Sequence, residues 1–413
     1  MMKKERLLAY LFAFLAIYFL IANFSIYKSF VVVAIAIILI ALGFSVLAQK
    51  YKSHSKEEAI LYFSAWSFIY LWAYVFSGES IGLGTIAILV YTIMYLSLSL
   101  DYQLKIAKYF IWVLSVLCFF SIIEFVFYIA TGKGIILQYV TRTTVIQSTY
   151  FNHLLFNIIR ISDLVLRFQG LADEPGRMGT LCGMLLFLTR RLDISKWPFY
   201  IFLFCGLLSF SLAFYILLVI FYITSAKVEF KKTFAILCIM SLALWMVQEQ
   251  FSSRILERIS DFENVDNRTD DVFDSYFDAA VKSGAIWVGV GNEQVSRISE
   301  ESGEGYGGAK VFMMRYGIIS VIVLFIMYNY IYIKRCRGRI DHYDWLFLLA
   351  FWLSFYQRQT IYLPFTMIVF FTMPLAKNRI NKFYTDDKKK IGTFKKANGF
   401  HTYLRNGKDK SKQ

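Results

Sequence analysis

The sequence predicts an all-α fold: a polytopic membrane helix bundle of about twelve spans, with two long extracytoplasmic loops that contain interfacial helices. Three observations predict it. Of the 413 residues, 58% are hydrophobic and 19% aromatic, with a mean hydropathy of +0.53. That is more apolar surface than a soluble chain of this length covers. The apolar residues fall into separate runs near the roughly 20 residues that cross a bilayer. The basic residues gather in alternate connectors, as the positive-inside rule requires. Four prolines and 41 phenylalanines argue against a disordered chain.

The first run, 7–24, follows Lys3, Lys4 and Arg6. A signal peptide starts this way, but the run is too long for its apolar region and no small-x-small cleavage pattern follows. It is read as a retained span. The other candidates are 30–48, 59–77, 81–100, 109–130, 178–190, 198–209, 211–226, 233–251, 309–333, 345–357 and 360–376. Those at 178–190, 198–209 and 345–357 are short and suit tilted or re-entrant segments. The stretch 197–226 is one long span or two short ones joined near Ser209-Phe210-Ser211.

Charge decides that point. With both termini cytoplasmic, the inner connectors contain Lys3, Lys4, Arg6, Lys50, Lys52, Lys56, Lys105, Lys108, Arg190, Arg191, Lys196, Lys227, Lys231, Lys232, Lys334, Arg335, Arg337 and Arg339. Together with the basic residues after Ala376 they hold 30 of the 44 lysines and arginines. The short outer connectors near 25–29, 77–80 and 209–211 hold one, Lys28. The pattern requires 197–226 to pass twice. Residues 1–376 are therefore read as an integral membrane domain, and 377–413 as a basic cytoplasmic tail against anionic headgroups or in solution. This placement accounts for the net charge of +15, so no nucleic-acid partner is expected.

Two long outer segments remain, 131–177 and 252–308. In the first, Leu154, Leu155, Ile158, Ile159, Ser162, Val165 and Leu166 follow a helical period. In the second, Val272, Phe273, Tyr276, Phe277, Ala280 and Val281 do so, with Asn267 or Thr269 as a cap, Asp270 and Asp271 in the first turn, and Gly284 at the end. Each predicts a helix that lies along the outer leaflet or packs on the rim of the bundle. No internal repeat of the inverted-transporter kind is visible.

Chemistry is sparse. Cys118, Cys182, Cys205, Cys238 and Cys336 avoid both outer segments, so no disulfide is expected there. His54, His153, His342 and His401 are scattered, and neither cysteines nor carboxylates show metal spacing. No metal or other cofactor is expected. Gly289-Val290-Gly291 lacks the preceding strand and third glycine of a dinucleotide site and reads as a tight turn. The first outer segment ends in Arg167, Gly170, Asp173, Glu174, Pro175, Gly176, Arg177 and Gly179. Arginine at a membrane boundary requires a partner or water. These residues could form salt bridges among themselves, or the guanidinium groups could clamp a phosphorylated ligand. The second segment has twelve acidic residues against Arg254, Arg258, Arg268, Lys282 and Arg297. Its best ligand candidate is Arg268, ahead of the amphipathic helix; its alternative is a pairing with a neighbouring aspartate.

Three stretches carry a family likeness. Arg167-x-x-Gly170 with Asp173-Glu174-Pro175, the serine turn Ser209-Phe210-Ser211, and Arg268 followed by a helix, Val288-Gly289-Val290-Gly291, Tyr306 and Gly317 come in the order and setting of the Wzy O-antigen polymerase and O-antigen ligase superfamily. The chain resembles that superfamily over nearly its whole length. The resemblance implies a GT-C-like bundle in a bacterial cytoplasmic (inner) membrane. It also implies metal-independent glycan transfer at the outer face, between undecaprenyl-diphosphate-linked oligosaccharides as donor and acceptor, with a chain-length regulator as a further partner. It assigns Arg167, Arg177 and Arg268 to the diphosphate and Glu174 to the acceptor hydroxyl. Arg254, Arg258, Tyr306 and Arg315 become substrate contacts. Ligases place a histidine where this chain has Tyr306, and the second loop contains no histidine. That favours a polymerase over a ligase that attaches glycan to lipid A-core. A transporter or flippase of the same lipid-linked oligosaccharides would use an acid within a span, and Glu124 is the clearest one.

Overall fold

Runs that alternate with charged and glycine-bearing breaks become helices in the computed structural model, which describes residues 2–22, 25–27, 37, 56–78, 82–143, 147–160, 167–192, 194–224, 271–302, 307–358 and 360–376. Helices α1 (Met2–Leu20), α2 (Lys56–Ser77), α3 (Leu83–Ser97) and α4 (Leu100–Thr131) come first. A small sheet follows, then α5 (Pro175–Arg191), α6 (Trp197–Leu208) and α7 (Leu212–Thr224). The last group is α8 (Asp271–Ser283), α9 (Gly291–Ser302), α10 (Ala309–Arg335), α11 (His342–Gln357) and α12 (Pro364–Ala376).

By length and composition, α2, α4 and α10 are the helices able to cross a bilayer among the described residues. The twelve expected spans are thus not all present as full-length helices; 233–251, and 30–48 apart from residue 37, lie outside the described residues. A helix of α12's length spans only about 20 Å at 1.5 Å per residue, short of the ~30 Å hydrocarbon core. Burial explains why α12 need not reach both surfaces. Every residue from Phe365 to Ala376 is buried, and so is every residue of α5 from Met178 to Thr189. Helices apolar on all sides belong in the centre of a bundle. The peripheral helices instead turn apolar stripes outward: Leu212, Ile216, Val219 and Ile223 on α7, and Trp345, Leu349, Leu353 and Tyr356 on α11. Continuous exposed stripes of this kind suit lipid rather than water. They suggest a membrane protein.

The stretch 197–226 forms two helices, as charge accounting requires. Their joint is not an exposed connector, however: Ser209 and Ser211 are buried against α5. A Cβ at Gly179 would fall 2.6 Å from Ser211 Cβ and 2.7 Å from Ser209 Oγ. Only glycine lets the turn come this close.

The described residues are mostly helical, as an all-α bundle requires, but the first outer segment corrects the helix expected over 154–166. Strands β1 (Ile136–Thr143), β2 (Gln147–His153) and β3 (Ile158–Arg160) form an antiparallel sheet in the order β1-β2-β3. Leu154 and Leu155 occupy a turn rather than a helix, in which Phe156 has φ 62° and the His153 amide donates to the Asn157 carbonyl over 2.8 Å. Ser162, Val165 and Leu166 lie outside the described residues. The reason is pairing: 136–153 is rich in aromatic and β-branched residues, and Tyr139 faces Phe151 across the ladder with ring centroids 4.8 Å apart.

In the second segment α8 forms where the periodicity places it, and Gly284 follows it with φ 77°. Its buried residues Phe273 and Ala280 share a small core with Ile286, Val295, Ile298, Val311 and Met314. The helix therefore packs on α9 and α10. Gly289-Val290-Gly291 is a tight turn with φ 88° and 87° at its glycines, and the Val290 amide donates to the Met314 carbonyl over 2.7 Å. Gly317, with φ 82° and ψ 160°, breaks α10 at this contact, where 309–333 reads as one continuous span.

Candidate anion site at the start of α5

Opposite charges collect at both ends of α5, α10 and α11, and the two collections differ. At the α5 C-terminus, Arg191 pairs with Asp344 at 2.6 Å and Asp341 at 2.7 Å, and its guanidinium lies 4.3 Å from the Tyr343 ring centre. Nearby, Arg335 donates from Nε and Nη2 to Glu58 at 2.8 and 2.6 Å, and from Nη1 to the Gln103 side chain and the Phe371 carbonyl. Every nitrogen of that guanidinium is used.

The other end is built around the α5 N-terminus. Glu174 has extended backbone and Pro175 opens the helix, the position proline suits because its missing N–H has no helical partner. Arg177, one turn in, forms an ion pair with Asp173 at 2.8 Å. Glu174 pairs instead with Arg358, which ends α11. Gly176 makes room for that guanidinium: a Cβ there would collide with Arg358 Nη2. Arg315 arrives from α10, two residues before the Gly317 break. The Nε atoms of Arg177, Arg315 and Arg358 are all buried without a hydrogen-bond partner. Tyr362, in the turn before α12, senses two of these cations. Its hydroxyl lies within electrostatic reach of Arg315 and Arg177. Its ring meets Trp66 of α2 edge-on at 5.7 Å.

A buried arginine requires hydrogen-bonding partners as well as a countercharge. Three guanidinium groups with spare buried donors, at a helix N-terminus whose dipole favours negative charge, form a ready site for an anion with several oxygens.

Arg177, Arg315 and Glu174 of the sequence-derived candidates gather here. Arg167 is half-buried at the start of the preceding turn. The adjacent Phe168 amide donates to the Leu208 carbonyl over 3.0 Å, which sets that turn on the α6–α7 joint. Arg254, Arg258, Arg268 and Tyr306 lie outside the described residues. Arg358 and Tyr362 escaped the sequence reading. A signal for Arg358 existed: it sits between runs 345–357 and 360–376, where the orientation of the chain predicts an outer connector, so it breaks the positive-inside pattern.

Glu124 has a different setting. Near the end of α4 it accepts from the Ile135 amide at 3.1 Å and contacts His153 Nδ1 at 3.1 Å, tying the sheet to the helix. Burial lowers the His153 pKa, and Glu124 offsets part of the shift. Among the described residues, no group of three or more His, Cys, Asp or Glu side chains is placed to hold a metal ion. No family profile, curated protein or solved structure matches the chain.

Proposed function

We propose that this chain is a Wzy-type polysaccharide polymerase of a bacterial cytoplasmic membrane, with both termini inside and the α5 N-terminus at the outer face. It transfers a growing glycan from undecaprenyl diphosphate onto the next lipid-linked repeat unit, for O-antigen, capsule or exopolysaccharide. The observation that carries this reading is that Arg177, Arg358 at the adjoining Gly176, and Arg315, which shares Tyr362 with Arg177, each hold a buried, unpartnered Nε. In the reaction an acceptor hydroxyl oxygen forms a bond to the donor's anomeric carbon. The bond from that carbon to the diphosphate oxygen breaks, and the electron pair leaves with undecaprenyl diphosphate. The hydroxyl proton passes to a base, for which Glu174, the more exposed of the two carboxylates paired with the arginines, is the candidate. Fixed guanidinium groups stabilise the charge that develops on the departing diphosphate. The flippase alternative would assign transport to Glu124, but that carboxylate is occupied by His153 and a backbone amide.

Gene deletion with gel analysis of the surface glycan tests the reading. Loss of long chains with single repeat units retained is the expected result. Long chains that persist unchanged would overturn it, and loss of single units as well would indicate a ligase. Point variants Arg167→Ala, Arg268→Ala and Arg177→Ala at normal expression should each reproduce the loss of long chains.

A further inference from the structure

We propose that the Glu174–Arg358 pair is an exchangeable counter-ion: Glu174 occupies Arg358 until a diphosphate arrives, and the incoming anion displaces it. Arg358 thereby becomes a third diphosphate contact, and the Glu174 carboxylate is released beside the bound substrate. The lipid-linked identity of the diphosphate rests on the polymerase reading; the exchange itself does not.

The two partners are unequally held. The Arg358 side chain is 9% exposed, whereas that of Glu174 is 48% exposed. The guanidinium is fixed between the end of α11 and the first turn of α5, in the space left by Gly176. Its Nη1 donates to Glu174, while its buried Nε has no partner. The carboxylate thus leaves a buried donor of the same fork unsatisfied, a cost that an anion with more oxygens removes. Glu174 stands at the N-cap position, yet its side chain makes no capping hydrogen bond. Its departure from Arg358 therefore costs the helix no side-chain cap. Displacement therefore exposes a carboxylate that is already half-solvated, and the buried cation stays in place and stays paired. The reverse exchange, with the arginine moving out, would drag a guanidinium from a packed site and is the costlier motion. Arg177 follows Gly176, against which the Arg358 guanidinium sits, and Arg315 lies with Arg177 within electrostatic reach of Tyr362; each holds a further buried Nε donor, so an anion with two phosphoryl groups could satisfy donors that one carboxylate does not.

The test uses full-length protein in detergent, titrated calorimetrically with inorganic pyrophosphate. Glu174→Gln keeps the shape and removes the competing charge, so it should bind pyrophosphate ~10-fold more tightly than the wild type. Arg358→Ala should bind ~10-fold more weakly, and Arg358→Lys should fall between it and the wild type. In the Arg358→Ala background, Glu174→Gln should give almost no further gain, because the two residues act through one another. Unchanged or weaker binding by Glu174→Gln overturns the exchange, as does a full gain that survives without Arg358. Glu174→Gln alone decides the matter if Arg358→Ala fails to fold. A parallel titration with farnesyl diphosphate distinguishes the sources of the anion. Tighter binding than pyrophosphate is expected for a lipid-linked ligand, and equal affinity would overturn that part. Failure of the polymerase reading is seen separately, in long glycan chains that survive gene deletion.

Discussion

The two ends of the bundle use the same residue types for different ends. At the α5 C-terminus, Arg335 spends all its nitrogens on Glu58, Gln103 and a backbone carbonyl, and Arg191 bridges two aspartates. At the α5 N-terminus, Arg177 and Arg358 each face one carboxylate, and they and Arg315 keep a buried Nε in reserve. Saturated donors fasten helices together. Unsaturated buried donors cost stability unless a ligand completes them. On the proposed function, the contrast separates an end that holds the helices of the bundle together from an end that would receive the substrate.

The largest way to break the comparison is at the saturated end. Arg335→Ala leaves Glu58 buried and unpaired and should cost about 3–5 kcal/mol, read as a lowered detergent melting temperature and poor recovery of folded protein. An unaltered melting temperature would erase the distinction between the ends. Arg315→Ala should behave in the opposite way. Loss of one preorganised donor to a developing anion typically costs about 2.7–4 kcal/mol of transition-state stabilisation, so glycan polymerisation in vitro should fall by two or more orders of magnitude while the melting temperature stays near wild type. A collapse in stability equal to that of Arg335→Ala would make Arg315 structural.

Gly317→Ala ranks next. A side chain at φ 82° is strained by about 1–3 kcal/mol, and its Cβ would also collide with the Trp287 carbonyl oxygen. The variant should loosen α8 and α9 from α10, with faster amide exchange over 271–302, while the pairs of Arg335 and Arg191 stay protected. The smallest effect is the pH response of the sheet. His153 titrates below its ordinary 6.5 because burial disfavours its charged form. The unfolded chain therefore binds the proton first. The stability contribution is complete above pH 6.5 and declines as pH falls from 6.5 through the lowered value. His153→Gln should flatten that part of a melting-temperature profile, and a slope identical to wild type would remove His153 as its source.

Local physics made part of this legible from residues alone. The helix over 272–281, its end at Gly284 and the turn at Gly289-Val290-Gly291 all follow from amphipathic spacing and from conformations that glycine adopts easily. Salt bridges among Arg167, Asp173, Glu174 and Arg177 were one of two readings of that segment, and the Asp173–Arg177 pair, between neighbours in sequence, forms. The helical period over 154–166 misled because the pairing of β2 with its neighbours decides that segment, and strand pairing depends on partners rather than on spacing within one stretch. The interruption at Gly317 was hidden for the same reason. One glycine in an apolar run is compatible with a helix until another backbone, that of Trp287 to Val290, takes the space beside it.

By itself, the sequence determined that the chain forms apolar helices with basic residues concentrated in alternate connectors, since solvation and helical periodicity act over neighbouring residues. Only the tertiary structure decided which arginines are saturated and which retain donors. Glu174 and Arg358 are 184 residues apart, and the choice of Arg358 rather than a nearer cation came from where α11 ends and from the room left by Gly176. Ion pairing in a buried setting is governed by the positions to which packing carries the groups, and those positions are a property of the whole bundle.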